Sequence, residues 1–227
     1  MKRRLPSFAC TLLLLAVSRW CQSHAASAPA PNNYARWEPE IAAFETADRT
    51  NHPPVGCILF VGSSSIRLWS TLKDDFPDLP VVNRGFGGSE LADAVYFADR
   101  IIKPYLPREV VIYAGANDLA NAKTPEIAFG DFITLVGEIR AKLPRTAIAF
   151  IASAPNPKRW ANVANIKKFN TLAQTYCVEH GLAFIDVFSQ MLGPDGLPRP
   201  DIFQEDRLHM NAKGYEIWKR AVRPYLK

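Results

Sequence analysis

Apolar residues in this 227-residue chain follow two alternating patterns. Short apolar runs occur at Cys57-Ile58-Leu59-Phe60-Val61, Val81-Val82, Val110-Val111-Ile112-Tyr113-Ala114, residues 147–152 and residues 182–187, the last interrupted only by Asp186. Apolar runs of this length without alternation suit strands buried on both faces, as in a parallel sheet covered by helices. Segments with helical spacing stand around and between them. The spacing predicts helices from Trp37 to about Arg49, for a short stretch after Ser65, and from Glu90 to Lys103 before Pro104. A longer helix is expected after the Thr124 cap, with Pro125 at its first position and Phe132, Val136, Ile139 and Leu143 along one face. Two more are expected from Asn162 to His180, closed by Gly181 as a C′ glycine, and from Asn211 to Arg223.

Strands alternating with helices predict one three-layer α/β/α domain over residues 37–227, built on a five-stranded, parallel, doubly wound sheet of the flavodoxin-like kind. The chain contains no internal repeat. Ahead of this domain, Lys2-Arg3-Arg4, an apolar run from Phe8 to Val17 and the small residues of Ser23-His24-Ala25 have the layout of a signal peptide over residues 1–25. That run is shorter than the roughly 20 residues a membrane-spanning helix needs. Residues 26–36, rich in Ala, Pro and Asn, are expected to be a flexible tether. The expected product is an exported protein, periplasmic or secreted, with no stable membrane insertion after cleavage.

Removing the leader changes the charge argument. It holds four of the basic residues and no acid, so the net charge falls from +5 to +1. The remainder has no basic stripe, and no nucleic-acid partner is expected. Cys57 and Cys177 remain, as a disulfide or as two buried free thiols. Neither stands at metal-ligand spacing with a histidine, so no metal site and no cofactor are expected.

Ligands of open α/β sheets bind outside the carboxyl ends of the strands. Gly62-Ser63-Ser64-Ser65 ends the first strand, where a serine nucleophile or a helix cap would sit. A glycine-rich loop, Arg84-Gly85-Phe86-Gly87-Gly88-Ser89, follows the second. Asn117 follows the third, and Asp206-Arg207-Leu208-His209 lies beyond the fifth. Taken singly, each has a plain structural reading as a turn, an Asx turn or a packing histidine. Together at one sheet edge they suit acyl transfer. His52 lies before the first strand and His180 ends a helix, which leaves His209 to take the serine proton, with Asp206 to fix its tautomer. The Gly88 N–H and the Asn117 amide are suitable donors to a carbonyl oxygen that gains negative charge.

These four segments resemble the motifs of the SGNH, or GDSL-type, hydrolases, in that family's order and from about Cys57 to the C-terminus. Gly62-Ser63-Ser64-Ser65 stands where the family has Gly-Asp-Ser-Leu, which implies Ser64 as nucleophile, with Ser63 in place of the aspartate. Asn83-Arg84-Gly85-Phe86-Gly87-Gly88 resembles the second block and implies Gly88 as an oxyanion donor. Gly115-Ala116-Asn117-Asp118 matches the Gly-x-Asn-Asp block and implies Asn117 as the side-chain donor, while Asp206-x-x-His209 matches the last. The resemblance implies a carboxylic ester hydrolase working through an acyl-serine, on a short acyl ester or a lysophospholipid-like substrate, without a cofactor. The alternatives are a carbohydrate O-acetylesterase and a non-catalytic binding module. The loop from Ser153 to Ala161, with Arg159 and Trp160, is expected to wall the site.

Overall fold

A computed structural model describes residues 33–227. The expected signal peptide and residues 26–32 of the expected tether lie outside the described residues. The five strands are β1 (Ile58–Gly62), β2 (Val81–Gly85), β3 (Glu109–Tyr113), β4 (Ala147–Ile151) and β5 (Ala183–Ile185). They are all parallel, in the order β2-β1-β3-β4-β5. This is the flavodoxin-like doubly wound order, whose switch point lies between β1 and β3.

The unbroken apolar runs serve two cores at once. Leu59 and Val61 of β1, Val110 and Ile112 of β3, and Ile148 and Phe150 of β4 point into one cluster. Their neighbours Ile58, Phe60, Val111, Ala149 and Ile151 point into the other. Strand residues alternate faces, so only a sheet covered on both sides leaves every one of these positions apolar.

The helices are α1 (Glu38–Thr50), α2 (Ser64–Arg67), α3 (Leu72–Asp75), α4 (Leu91–Ile101), α5 (Ala116–Ala120), α6 (Pro125–Lys142), α7 (Val163–Glu179) and α8 (Ala212–Val222). α1, α4, α6 and α7 cover the first face, with Phe132, Val136 and Ile139 of α6 buried there at helical spacing. α2, α3 and α8 cover the second, around Trp69 and Trp218. The Thr124 hydroxyl accepts the Ile127 N–H, as expected of a cap. α7 closes on Gly181 at φ +66°, with the Leu182 N–H donating to the Cys177 carbonyl, a Schellman arrangement.

Three expectations need correction. Tyr34–Trp37 forms a 3-10 turn, and the Tyr34 ring stacks 3.8 Å from that of Tyr96, so residues 34–36 belong to the domain and not to a tether. Arg84 and Gly85 belong to β2, because Gly85 pairs with Gly62 and the ladder runs to that point. α8 ends at Val222, and Arg223–Tyr225 continues as a 3-10 turn.

Gly62 fixes where β1 can end. Its φ is +150°, and a Cβ there would lie 1.9 Å from the Tyr113 carbonyl oxygen on the neighbouring strand. No side chain can shift to relieve a clash with backbone. Gly62→Ala should therefore cost about 4 kcal/mol of stability, lowering the melting temperature by roughly 10 °C for a domain of this size. Scanning calorimetry of the variant checks this, and an unchanged melting temperature would contradict it.

Candidate active site

Ser63 caps α2 with extended backbone, donating its N–H to the Tyr113 carbonyl at 3.2 Å. Its own carbonyl accepts the N–H groups of Ile66 and Arg67. Ser64 is thus the first residue of α2, at the carboxyl end of β1 and beside the switch point. Its Oγ lies 3.0 Å from His209 Nε2. All three serines line the same cleft, but among the described residues only Ser64 bonds an imidazole.

His209 comes from the loop before α8. Its Nδ1 lies 2.6 Å from Asp206 Oδ2, and the Asp206 Oδ1 accepts the N–H groups of Leu208 and His209 at 2.9 Å. Partial desolvation acts to raise the Asp206 pKa but is outweighed by those two N–H groups and the imidazole, which hold it at about 2. An ionised carboxylate only accepts, so the Nδ1 carries the proton and the Nε2 presents its lone pair to Ser64. Asn211 anchors the loop. Its Oδ1 caps α8 by accepting from Lys213 and Gly214, while its Nδ2 donates to the carbonyls of Asp201 and Phe203.

The start of the glycine-rich loop after β2 is tied to β1 and α1. The Phe86 N–H donates to the Gly62 carbonyl at 2.9 Å, and the Gly87 N–H donates to Glu40 Oε2 of α1 at 3.1 Å. Gly88 lies in this loop beside Trp37, not among the residues that line the cleft. Asn117, in α5, does line the cleft. Its Nδ2 donates to the Ser89 carbonyl at 3.0 Å, and its Oδ1 accepts from Arg159 Nη1 at 3.0 Å. One amide hydrogen of Asn117 is left over. The structure thus joins Ser64, His209 and Asp206 in one hydrogen-bonded chain, places Asn117 in the same cleft, and sets Gly88 in the adjoining loop.

The neighbour of Asn117 does different work. Asp118 is fully buried and accepts the Leu91 N–H at the start of α4, with Lys123 Nζ 3.0 Å away. Burial outweighs the Lys123 charge and pushes the Asp118 pKa up to about 6. A pKa raised above its unfolded value adds stability below the unfolded value and loses it as pH rises through the folded one. Between pH 7 and pH 4 the stability of the native chain relative to Asp118→Asn should therefore rise by about 2 kcal/mol. Urea melts of both proteins at the two pH values check it, and a constant difference would contradict it.

Sequence reasoning placed Arg159 on the wall correctly but gave it no bond. Trp160 is half-buried and does not line the cleft; Pro155, Asn156 and Arg159 form that wall, facing Phe203 and Leu208. The free space in the cleft is small, about 20 Å³, room for one water. Cys57 and Cys177 are buried free thiols, and burial raises both pKa values, Cys177 to about 12. Among the described residues, no group of three or more His, Cys, Asp or Glu side chains is placed to hold a metal ion. No described helix is long and apolar enough to cross a membrane.

The model of the GDSL-like lipase/acylhydrolase family matches residues 60–217, from within β1 to within α8. The chain belongs to this family. Its membership implies a hydrolase. The fold of this GDSL-like protein is similar to that of a GDSL-like lipase from Bacteroides thetaiotaomicron, with TM-score 0.70 and 22% identity over 85% of this chain and 96% of that one. A lipase/acylhydrolase from Enterococcus faecalis is similar at TM-score 0.63 and 23% identity, covering 75% and 97% of the two chains. An acetyl-xylooligosaccharide esterase from Geobacillus is similar at TM-score 0.61 and 17% identity, covering 75% and 94%. No curated protein matches this sequence.

Proposed function

We propose that this GDSL-like hydrolase is a serine esterase that cleaves short acyl esters through an acyl-serine at Ser64. The observation that carries the reading is the chain from Asp206 through His209 to Ser64, with Oγ 3.0 Å from Nε2. Oγ attacks the ester carbonyl as Nε2 takes its proton, and Asp206 stabilises the imidazolium that forms. The carbonyl oxygen becomes an oxyanion, met by the remaining Asn117 amide hydrogen and the Ser64 N–H, neither of which has a partner among the described residues; the family resemblance adds the Gly88 N–H of the adjoining loop as a third donor. His209 then protonates the leaving alcohol, and water attacks the acyl-serine with His209 again as base.

The small free space in the cleft supports a short acyl group. Hydrolysis of p-nitrophenyl acetate should exceed that of the octanoate at least tenfold in kcat/KM, and a preference for octanoate would overturn the short-acyl assignment. Asn117→Ala should lower kcat about 10²- to 10³-fold with little change in KM, because the donor acts on charge that develops in the transition state. Steady-state kinetics of the folded variant test it, and an undiminished kcat would remove Asn117 from the mechanism.

A carbohydrate O-acetylesterase is the second reading, favoured by the same narrow cleft and by the similarity to the Geobacillus esterase. Acetylated xylooligosaccharides compared with a lysophospholipid separate it from a lipid-directed enzyme. The basic and apolar pattern of residues 1–25 supports export. N-terminal sequencing of the protein recovered outside the cytoplasm should begin near Ala26, and an intact Met1 would refute it.

A further inference from the structure

Arg159 lines the cleft beside Ser64 and His209. Its backbone is pinned, since its N–H donates to Asn156 Oδ1 at 2.9 Å and the preceding Lys158 N–H donates to the Arg207 carbonyl at 3.1 Å. A guanidinium has five N–H donors in a rigid fork. Only Nη1 is engaged, on Asn117 Oδ1 at 3.0 Å and the Ala116 carbonyl at 3.3 Å. Nε and Nη2 make no hydrogen bond among the described residues. Neither is sealed from solvent, because Trp37 Nε1 is the one buried side-chain donor without a partner there.

A clamp on Asn117 would need Nη1 alone. The rest of the group is held half-buried without a carboxylate partner among the described residues, and desolvation pulls its pKa below the ordinary arginine range. The cleft lining contains no Asp or Glu, and Arg159 is its only Lys or Arg. The edge formed by Nε and Nη2 presents parallel donors that match the two oxygens of a carboxylate, a geometry lysine cannot copy.

We infer that Arg159 selects ester substrates that carry a carboxylate near the scissile bond, held side-on through Nε and Nη2. The inference rests on the proposed esterase reading and names the substrate class for that site. The probes are 3-acetoxybenzoate and its neutral methyl ester, which share the scissile acetate and differ in the charged group, with turnover read as acetate released. The ratio of their kcat/KM values, acid over methyl ester, should fall at least tenfold in Arg159→Gln. In Arg159→Lys, which keeps the charge but not the fork, it should fall less. Taking the ratio cancels any effect passed through Asn117. Equal losses on both esters would overturn the inference and reduce Arg159 to a positioning residue.

Binding supplies a readout independent of turnover. Calorimetric titration of 3-acetoxybenzoate into Ser64→Ala should give at least tenfold tighter binding than into Ser64→Ala/Arg159→Gln. Equal affinities would overturn the carboxylate site. If the native protein cleaves neither ester while the binding difference holds, the esterase reading fails and the carboxylate site stands.

Discussion

Ser64→Ala should lower ester turnover by about 10⁵- to 10⁶-fold, the loss expected when the nucleophile is removed from a unit of this kind. The residue is half-buried, and its side chain bonds only His209, so the variant should fold and melt as the native protein does. What remains would be the slow attack of water, helped by His209 and the oxyanion donors. The comparison is kcat on p-nitrophenyl acetate for both proteins, with circular dichroism as the control for folding. A folded variant with undiminished activity would move the nucleophile to Ser63 or Ser65. Those hydroxyls line the same cleft, but neither bonds the imidazole.

Asp206→Asn should produce the next largest loss, about 10⁴-fold in kcat. The amide can still accept the N–H groups of Leu208 and His209 through its oxygen, so the loop keeps its shape. Its NH₂, however, now faces Nδ1 and donates to it. The imidazole proton then moves to Nε2, and the nitrogen facing Ser64 can no longer take a proton. The cause would be a change of tautomer in an intact site. Because Asp206 is held at about 2, it stays ionised through any ordinary assay range. Its own stability contribution follows the sign of a depressed carboxylate, present above the unfolded value and lost as pH falls through about 2. Any acid limb of the rate above pH 3 therefore belongs to another group.

The parts of this molecule that could be read in advance are those with a period or a chemical type behind them. Leu59 and Phe60 are adjacent in sequence yet lie in opposite cores, and a run apolar at every position is how a two-sided sheet appears in a sequence. Thr124, Pro125 and Gly181 marked helix ends because each meets a local backbone demand. The candidate site was legible in part because strand ends gather at one edge, so residues far apart in sequence could be placed near one another from topology, while the choice of Ser64 among three serines came from the family resemblance.

Bonds between distant segments left no such trace. The Arg159–Asn117 contact joins residues 42 positions apart, and no spacing in either segment announces it. α5 is a five-residue helix, too short to show a period. Tyr34 and Trp37 stand near a Pro- and Ala-rich stretch that reads as a linker, but their rings find Tyr96 and Phe86 in the folded chain. Glu40 then reaches Gly87, so a helix expected only to cover the sheet also holds the glycine-rich loop that follows β2. The binding-module alternative explains a glycine-rich loop but gives no role to a serine, an imidazole and a carboxylate hydrogen-bonded in series.

The central claim is that Ser64 becomes covalently acylated. The most direct test is to treat the native protein with a fluorophosphonate, which traps activated serines by displacement of fluoride, and to map the adduct by peptide mass spectrometry. The account predicts one phosphonyl group per chain, on Ser64, and none on the Ser64→Ala variant. An adduct on Ser63 or Ser65, or an ester-hydrolysing protein that takes up no label, would contradict it.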